Sequence, residues 1–214
     1  ARASSLIRFA AAGIRESDRV RLRPLDVTCR DERAAVVREA EQDWGGIDVL
    51  VNNAGITYRA VVEHFNEADD LEELNVNFIA PMELIQLVLP GMRAKRAGRI
   101  INVSSVGGMM AMTAMALYSA SKFALEGACE ALWYEVRPWN IRVSLVEPGF
   151  INSDSFKRTR YTPESAQAAH DPANPYHAHY SHMDRFIAGL MGATRATPET
   201  VAKTVVRVLN QRSP

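Results

Sequence analysis

The stretch "YSASK" places the phenol of Tyr118 four residues before the ammonium of Lys122. At that spacing two side chains meet on one face of a helix. A phenol with an ordinary pKa of ~10 is a poor base near neutrality, and a neighbouring ammonium favours its phenolate form. The pair therefore suits proton transfer at an oxygen atom, although an isolated YxxxK reads most simply as a half-exposed tyrosine beside a solvated lysine. Thirteen residues before Tyr118, the run "GRIINVSS" ends in Ser104 and Ser105 and is followed by "VGG". A hydroxyl at the carboxyl end of a parallel strand lies where open α/β sheets bind their ligands. The next such run, "IRVSLVEPG", ends in a sharp turn at Pro148 and Gly149.

Positioning these groups requires strands that end at a common edge and a helix that begins there. Apolar runs of strand length occur at residues 20–25, 49–52, 99–103 and 141–146. They alternate with longer helical patterns, which predicts a parallel sheet with helices on both faces. "DERAAVVREAEQDWGG" opens with acids and closes on Gly45-Gly46, the signature of a capped helix. "LEELNVNFIAPMELIQLVLPGMRAKR" is a longer helical stretch with Pro81 and Pro90 as expected kinks or breaks. "YSASKFALEGACEALWYEVRP" is a third helix, ending before Pro138, and "TPETVAKTVVRVL" a last one with Thr197 as cap and Pro198 in the first turn. Residues 152–197 contain Pro163, Pro172 and Pro175 with little periodicity before Phe186. We expect an irregular substrate-binding lid there, with a passive surface excursion as the alternative.

The 214 residues, 47% hydrophobic, suffice for a single domain with a sizeable core. Twenty-five basic side chains balance 25 acidic ones, so no overall field favours nucleic acid or an anionic membrane. A small molecule or another protein is the expected partner. Two widely spaced cysteines, Cys29 and Cys129, form no disulfide framework and fit a cytoplasmic setting. No apolar run has the length of a membrane span.

Taken in order, "DVT" at 26–28, "NNAG" at 52–55, "NVN" ending at Asn77, Ser105, "YSASK" and "PGFINS" at 148–153 resemble the single-domain branch of the short-chain dehydrogenase/reductase family. The resemblance covers the chain from about residue 19 to residue 153. It implies a Rossmann-like, doubly wound α/β domain that moves a hydride between NAD or NADP and a hydroxyl or carbonyl carbon. It further implies Tyr118 as general acid/base, Lys122 on the nicotinamide ribose, Ser105 on the substrate oxygen and Asn77 holding a water that completes a proton relay. By the same resemblance Asp26 and Val27 contact adenine, and Asn53 and Ala54 lie against the ribose side. Pro148, Gly149, Ile151 and Ser153 hold the carboxamide. Family members commonly form dimers or tetramers through two of their helices, which implies a homodimer or homotetramer here.

The family's glycine-rich phosphate loop has no counterpart in these residues, because Gly13 is the one glycine before Gly45. The first β-α-β unit is thus expected to be missing, which would leave a gap in mid-sheet. The sequence is then either part of a longer enzyme or a chain that binds no dinucleotide in the usual way. "EPGFINSDSF" is similar to the steroid- and retinoid-dehydrogenase part of the family and suggests an apolar substrate. Met109, Met110, Met112 and Met115 would either wall that pocket or pack in the core. His177, His179 and His182 are read as loop or substrate-facing histidines rather than a metal site. "RAKRAGR" reads as a solvated helix end. The rival function is a truncated, non-catalytic dimerisation or binding module of the same fold.

Overall fold

The computed structural model describes residue 9, residues 13–153 and residues 158–211. Helix α1 (Arg30–Trp44) opens with Asp31 and Glu32, whose charges suit the positive pole of a helix. It closes at Gly45, which takes a left-handed φ of 73° and returns its N–H to the Glu41 carbonyl. Strand β1 (Val49–Asn52) follows, then helix α2 (Glu67–Leu74), capped by the Asn66 side chain accepting from Asp69 N–H. A π-helical turn, Asn75–Ile79, joins α2 to helix α3 (Ala80–Lys95). Pro81 has no N–H to offer the preceding turn, and the Ala80 N–H reaches back five residues to the Asn75 carbonyl. Pro90 sits inside α3 without ending it.

Strand β2 (Gly98–Val103), helix α4 (Ala116–Val136) and strand β3 (Ile141–Val146) complete the central layer. The three strands are parallel in the order β1-β2-β3, with Val49 opposite Arg99 and Gly98 opposite Ile141. Ile100, Ile101 and Asn102 are all buried, as expected for a middle strand covered on both faces. The main core joins Val37 of α1, Ile85, Val88 and Met92 of α3, Ile100 of β2, Leu125, Cys129 and Leu132 of α4 and Val143 of β3. Gly98 is required where β2 crosses α3, since a Cβ there would lie 2.5 Å from Met92 Sδ. The expected α/β architecture is therefore present.

Two expectations are corrected. Residues 20–25 do not form a strand: their one ladder contact is an antiparallel bridge between Ser17 and Val20. A strand exists through its partner, and among the described residues none is offered to this segment. Pro24 cannot donate, and Arg23 is instead tied by its side chain to Glu16 at 2.7 Å and to Glu39. The second correction concerns 152–197, whose described residues, 152–153 and 158–197, are largely helical rather than irregular. Helix α5 (Pro163–His170) is capped by Thr162, and Pro163 stands in its first turn, where a missing N–H costs nothing. Helix α6 (His177–Ala193) follows a short link that contains Pro172 and Pro175. The last helix, α7 (Pro198–Asn210), begins as expected at Thr197.

Candidate active site

Pairing between β2 and β3 continues past their ends. Ser104 N–H donates to the Val146 carbonyl at 2.8 Å and Val106 N–H to the Pro148 carbonyl at 3.0 Å. This brings Ser105 and the Pro148–Gly149 turn side by side at the carboxyl edge of the sheet. Ser105 caps the short turn Val106–Gly108 by accepting from Gly107 N–H at 3.1 Å. Gly107 in turn lies under the Tyr118 ring, where a Cβ would come within 2.9 Å of Cε1. The same Cβ would be 3.5 Å from Ser105 Oγ, so the serine hydroxyl and the tyrosine ring flank Gly107 from two sides.

Lys122, one turn further along α4, is only 4% exposed. Its Nζ donates to the Val103 carbonyl at 3.0 Å and lies 6.0 Å from the centre of the Tyr118 ring. Asn77 is fully buried in the π turn. Its amide clasps Ile56 from both sides, Nδ2 donating to the carbonyl at 2.9 Å and Oδ1 accepting from the N–H at 3.0 Å, and Nδ2 also reaches Ser121 Oγ at 3.1 Å.

A cleft of about 960 Å³ opens over this edge. Asp26, Val27, Asn53, Ala54, Ser105, Tyr118, Gly149, Ile151 and Ser153 line it. Lys122 and Asn77 lie behind that lining, and Pro148 contributes its carbonyl to the sheet edge. Met112 and Met115 line the cleft, whereas Met109 and Met110 are exposed, so the methionine run divides between wall and surface. Gly55, Ile56, Phe150 and Arg160 also line the cleft and were not singled out from the sequence. Residues 57–60 pair with Arg160 and Met115: Arg59 N–H donates to the Arg160 carbonyl at 2.8 Å and Arg160 N–H to the Thr57 carbonyl at 2.9 Å. Tyr58, Glu72 and Arg160 share a side-chain knot above this contact.

The electrostatics depart from the sequence expectation. Burial pushes the Tyr118 phenol above its ordinary value, with the nearby Ser105 hydroxyl opposing the rise and Glu73 adding to it. Burial also pulls Lys122 down to about 8, against the opposing pull of Glu126 and Glu73. The Lys122 ammonium is aimed at the Val103 carbonyl, and Tyr118 is a neutral phenol at pH 7.

His177 and its neighbours His179 and His182 stand on α6, with the His177 ring hydrogen-bonded to Ser181 Oγ at 3.2 Å. Among the described residues no three histidine, cysteine or carboxylate side chains are grouped to hold a metal. Both cysteines are free thiols. Among the described residues no helix is long and apolar enough to cross a membrane.

The sequence model of the short chain dehydrogenase family matches residues 1–164. The chain belongs to that family. Among its short-chain relatives, the 3-ketodihydrosphingosine reductase of Bacteroides thetaiotaomicron is 42% identical over 135 residues, 63% of this chain and 50% of that protein. Human retinol dehydrogenase 8 is 33% identical over 208 residues, 96% of this chain and 65% of that protein. The chain thus spans about half to two thirds of the length of these curated relatives. Among solved structures, a short-chain dehydrogenase from Streptomyces avermitilis superposes with a TM-score of 0.81 at 28% identity, over 99% of this chain and 73% of that one. A metagenomic short-chain oxidoreductase in complex with NADP superposes with a TM-score of 0.61 at 32% identity, over 70% of this chain and 67% of that one. The Rossmann-like character of the family's fold extends to this chain.

Proposed function

We propose that this chain carries the catalytic centre of an NAD- or NADP-dependent oxidoreductase that interconverts an alcohol and a carbonyl group in a small, largely apolar molecule. The observation that carries this reading is the placing of Tyr118 and Ser105 on either side of Gly107 in the lining of one cleft, with Lys122 sealed behind them. The donor set fits the nicotinamide end of such a cofactor: the hydroxyls of Ser105, Tyr118 and Ser153 and the glycine of a proline-glycine turn line one cleft, backed by a buried ammonium. When bound, the cofactor supplies or accepts the hydride.

The chain's own residues handle the oxygen. Ser105 orients the carbonyl oxygen by hydrogen bonding, and Tyr118 donates its phenolic proton to that oxygen as negative charge develops there. Its raised pKa suits it to this donor role, which favours the reduction direction at neutral pH. Lys122 steadies the phenolate left behind and hydrogen-bonds the cofactor ribose, and Asn77 holds a water that returns a proton to Lys122. Asn53 and Ala54 rest against the ribose side, Asp26 and Val27 take the adenine, and Gly149, Ile151 and Ser153 hold the carboxamide beside Pro148. Residues 152–197, with α5 and α6, form the substrate lid of a single domain. Phe150, Met112 and Met115 offer apolar surface to the substrate.

Assembly as a homodimer or homotetramer is part of the proposal, and the exposed Phe123 and Tyr134 on α4 support it. A cytoplasmic location accords with two free thiols. The test is oxidation of reduced cofactor by the purified chain against a panel of steroid, retinoid and long-chain carbonyl compounds. Turnover of one apolar class with either cofactor is the expected result. Cofactor affinity with no turnover of any carbonyl would favour the non-catalytic module.

A further inference from the structure

The acidic run "EADDLEEL" on α2 ends in a glutamate unlike its neighbours. Glu67 is exposed, Asp69 is held by Asn66 at 2.6 Å and Glu72 by Arg160 at 2.5 Å. Glu73, by contrast, has no exposed surface (0%). Its Oε1 accepts from Tyr58 N–H at 3.1 Å, while Oε2 is buried with no hydrogen-bond partner among the described residues. A buried carboxyl oxygen left without a donor is costly when charged, so its retention calls for a role.

The surroundings point to that role. Glu73 and Asn77, four residues apart, fasten the same stretch of chain, Asn77 at Ile56 and Glu73 at Tyr58. The stretch begins at Gly55, which covers Lys122: a Cβ built there would be 4.0 Å from Nζ and 3.5 Å from Asn77 Oδ1. The charged groups around Glu73 are Lys122 from α4, Arg160 from the chain that pairs with residues 57–59 and Asp70 from its own helix, and the neutral phenols of Tyr58 and Tyr118 lie alongside. Burial dominates and pushes Glu73 up to about 8, opposed first by the hydrogen bond from Tyr58 N–H and then by Lys122 and Arg160, with Asp70 adding to the rise. Lys122, facing Glu126 and Glu73, is pulled down to about 8. The two groups exchange protons with solution over the same interval.

We propose that Glu73 is a positioning residue for the Tyr118–Lys122 pair: its buried carboxyl, seated behind residues 55–58, keeps Lys122 charged as the solution turns alkaline. As pH rises Glu73 gives its proton to solvent, and the carboxylate so formed strengthens the hold of Lys122 on its own proton. Only O–H and N–H bonds change. The proposal rests on the catalytic reading above, because it acts through Lys122.

The linkage has a definite sign. A carboxyl raised from 4.5 to about 8 on folding makes the folded state bind more protons between those values, so stability declines as pH rises through that window. Lys122, lowered from 10.5 to about 8, acts oppositely between about 8 and 10.5, where stability rises with pH.

Glu73→Gln separates the roles, since the amide oxygen still accepts from Tyr58 N–H but cannot ionise. In the full chain labelled with ¹³C at glutamate carboxyl and lysine Cε carbons, one carboxyl should titrate near 8 and vanish in E73Q. The Lys122 midpoint should fall by about one pH unit in that variant, the low end of what a nearby opposite charge does. The alkaline limb of kcat should move with it while KM stays put. The decline of stability with pH between 4.5 and 8 should flatten in denaturant titrations. A Glu73 carboxyl titrating near 4.5, or an unmoved Lys122 midpoint in E73Q, overturns the proposal. If no carbonyl compound is turned over, the catalytic reading fails, and the NMR titration still decides whether Glu73 controls Lys122.

Discussion

The two sides of strand β2 are built to different standards. Toward β3 the ladder runs the full six residues, α4 packs across it, and pairing continues beyond the strand ends to place Ser105 beside Pro148. Toward β1 the ladder is four residues long, Val49 and Val51 are 39% and 40% exposed on one face, and among the described residues β1 has no second strand partner. The groups suited to chemistry gather on the well-built side. A proton donor must be held to a fraction of an ångström, and only an element fixed on several sides does that.

This contrast can be broken on either side, with effects of very different size. The largest belongs to Lys122. Lys122→Met should cut turnover about 10²–10⁴-fold, the range of a lost proton-transfer partner, with the circular dichroism spectrum intact. A spectrum that collapses with the activity would show Lys122 to be structural.

Next comes Asn77→Ala, which strands the Ile56 N–H and carbonyl in a buried setting. At about 1–3 kcal/mol for each buried group left unsatisfied, the chain should lose roughly 3 kcal/mol. A lower midpoint in urea at unchanged slope would record it. Gly98→Ala should cost about 1–3 kcal/mol by driving a Cβ into Met92, read the same way. On the open side, Val49→Thr should change stability by less than about 0.5 kcal/mol, because this side chain already faces solvent. A loss as large as that of Gly98→Ala would mean that the outer face of β1 is covered in solution.

The same contrast explains what could be read from the sequence. Helical spacing and strand ends are local signals that put Tyr118, Lys122 and Ser105 within view, and the ordered motifs of the resemblance then singled them out; the β2 and β3 pairing that unites them follows from apolar runs. Residues 20–25 misled because alternating arginine and aliphatic side chains look like a strand whether or not a partner waits beside them. Pro163, Pro172 and Pro175 suggested irregular chain in 152–197, yet one of them starts a helix and two join helices. Pro81 marked a disturbance, but the π turn that buries Asn77 depends on how α2 and α3 join end to end. Glu73 was invisible within an acidic run that carries no local sign of burial. Its burial is created by α4 packing over α2, a long-range event with no trace in local composition.

The central claim is that the Tyr118 phenol transfers the proton. Single-turnover oxidation of bound reduced cofactor by a saturating carbonyl substrate, compared between the wild-type chain and Tyr118→Phe, tests it most directly. The account predicts unchanged cofactor affinity and a rate reduced at least about 10²-fold in the variant. An unchanged rate in Tyr118→Phe would contradict it.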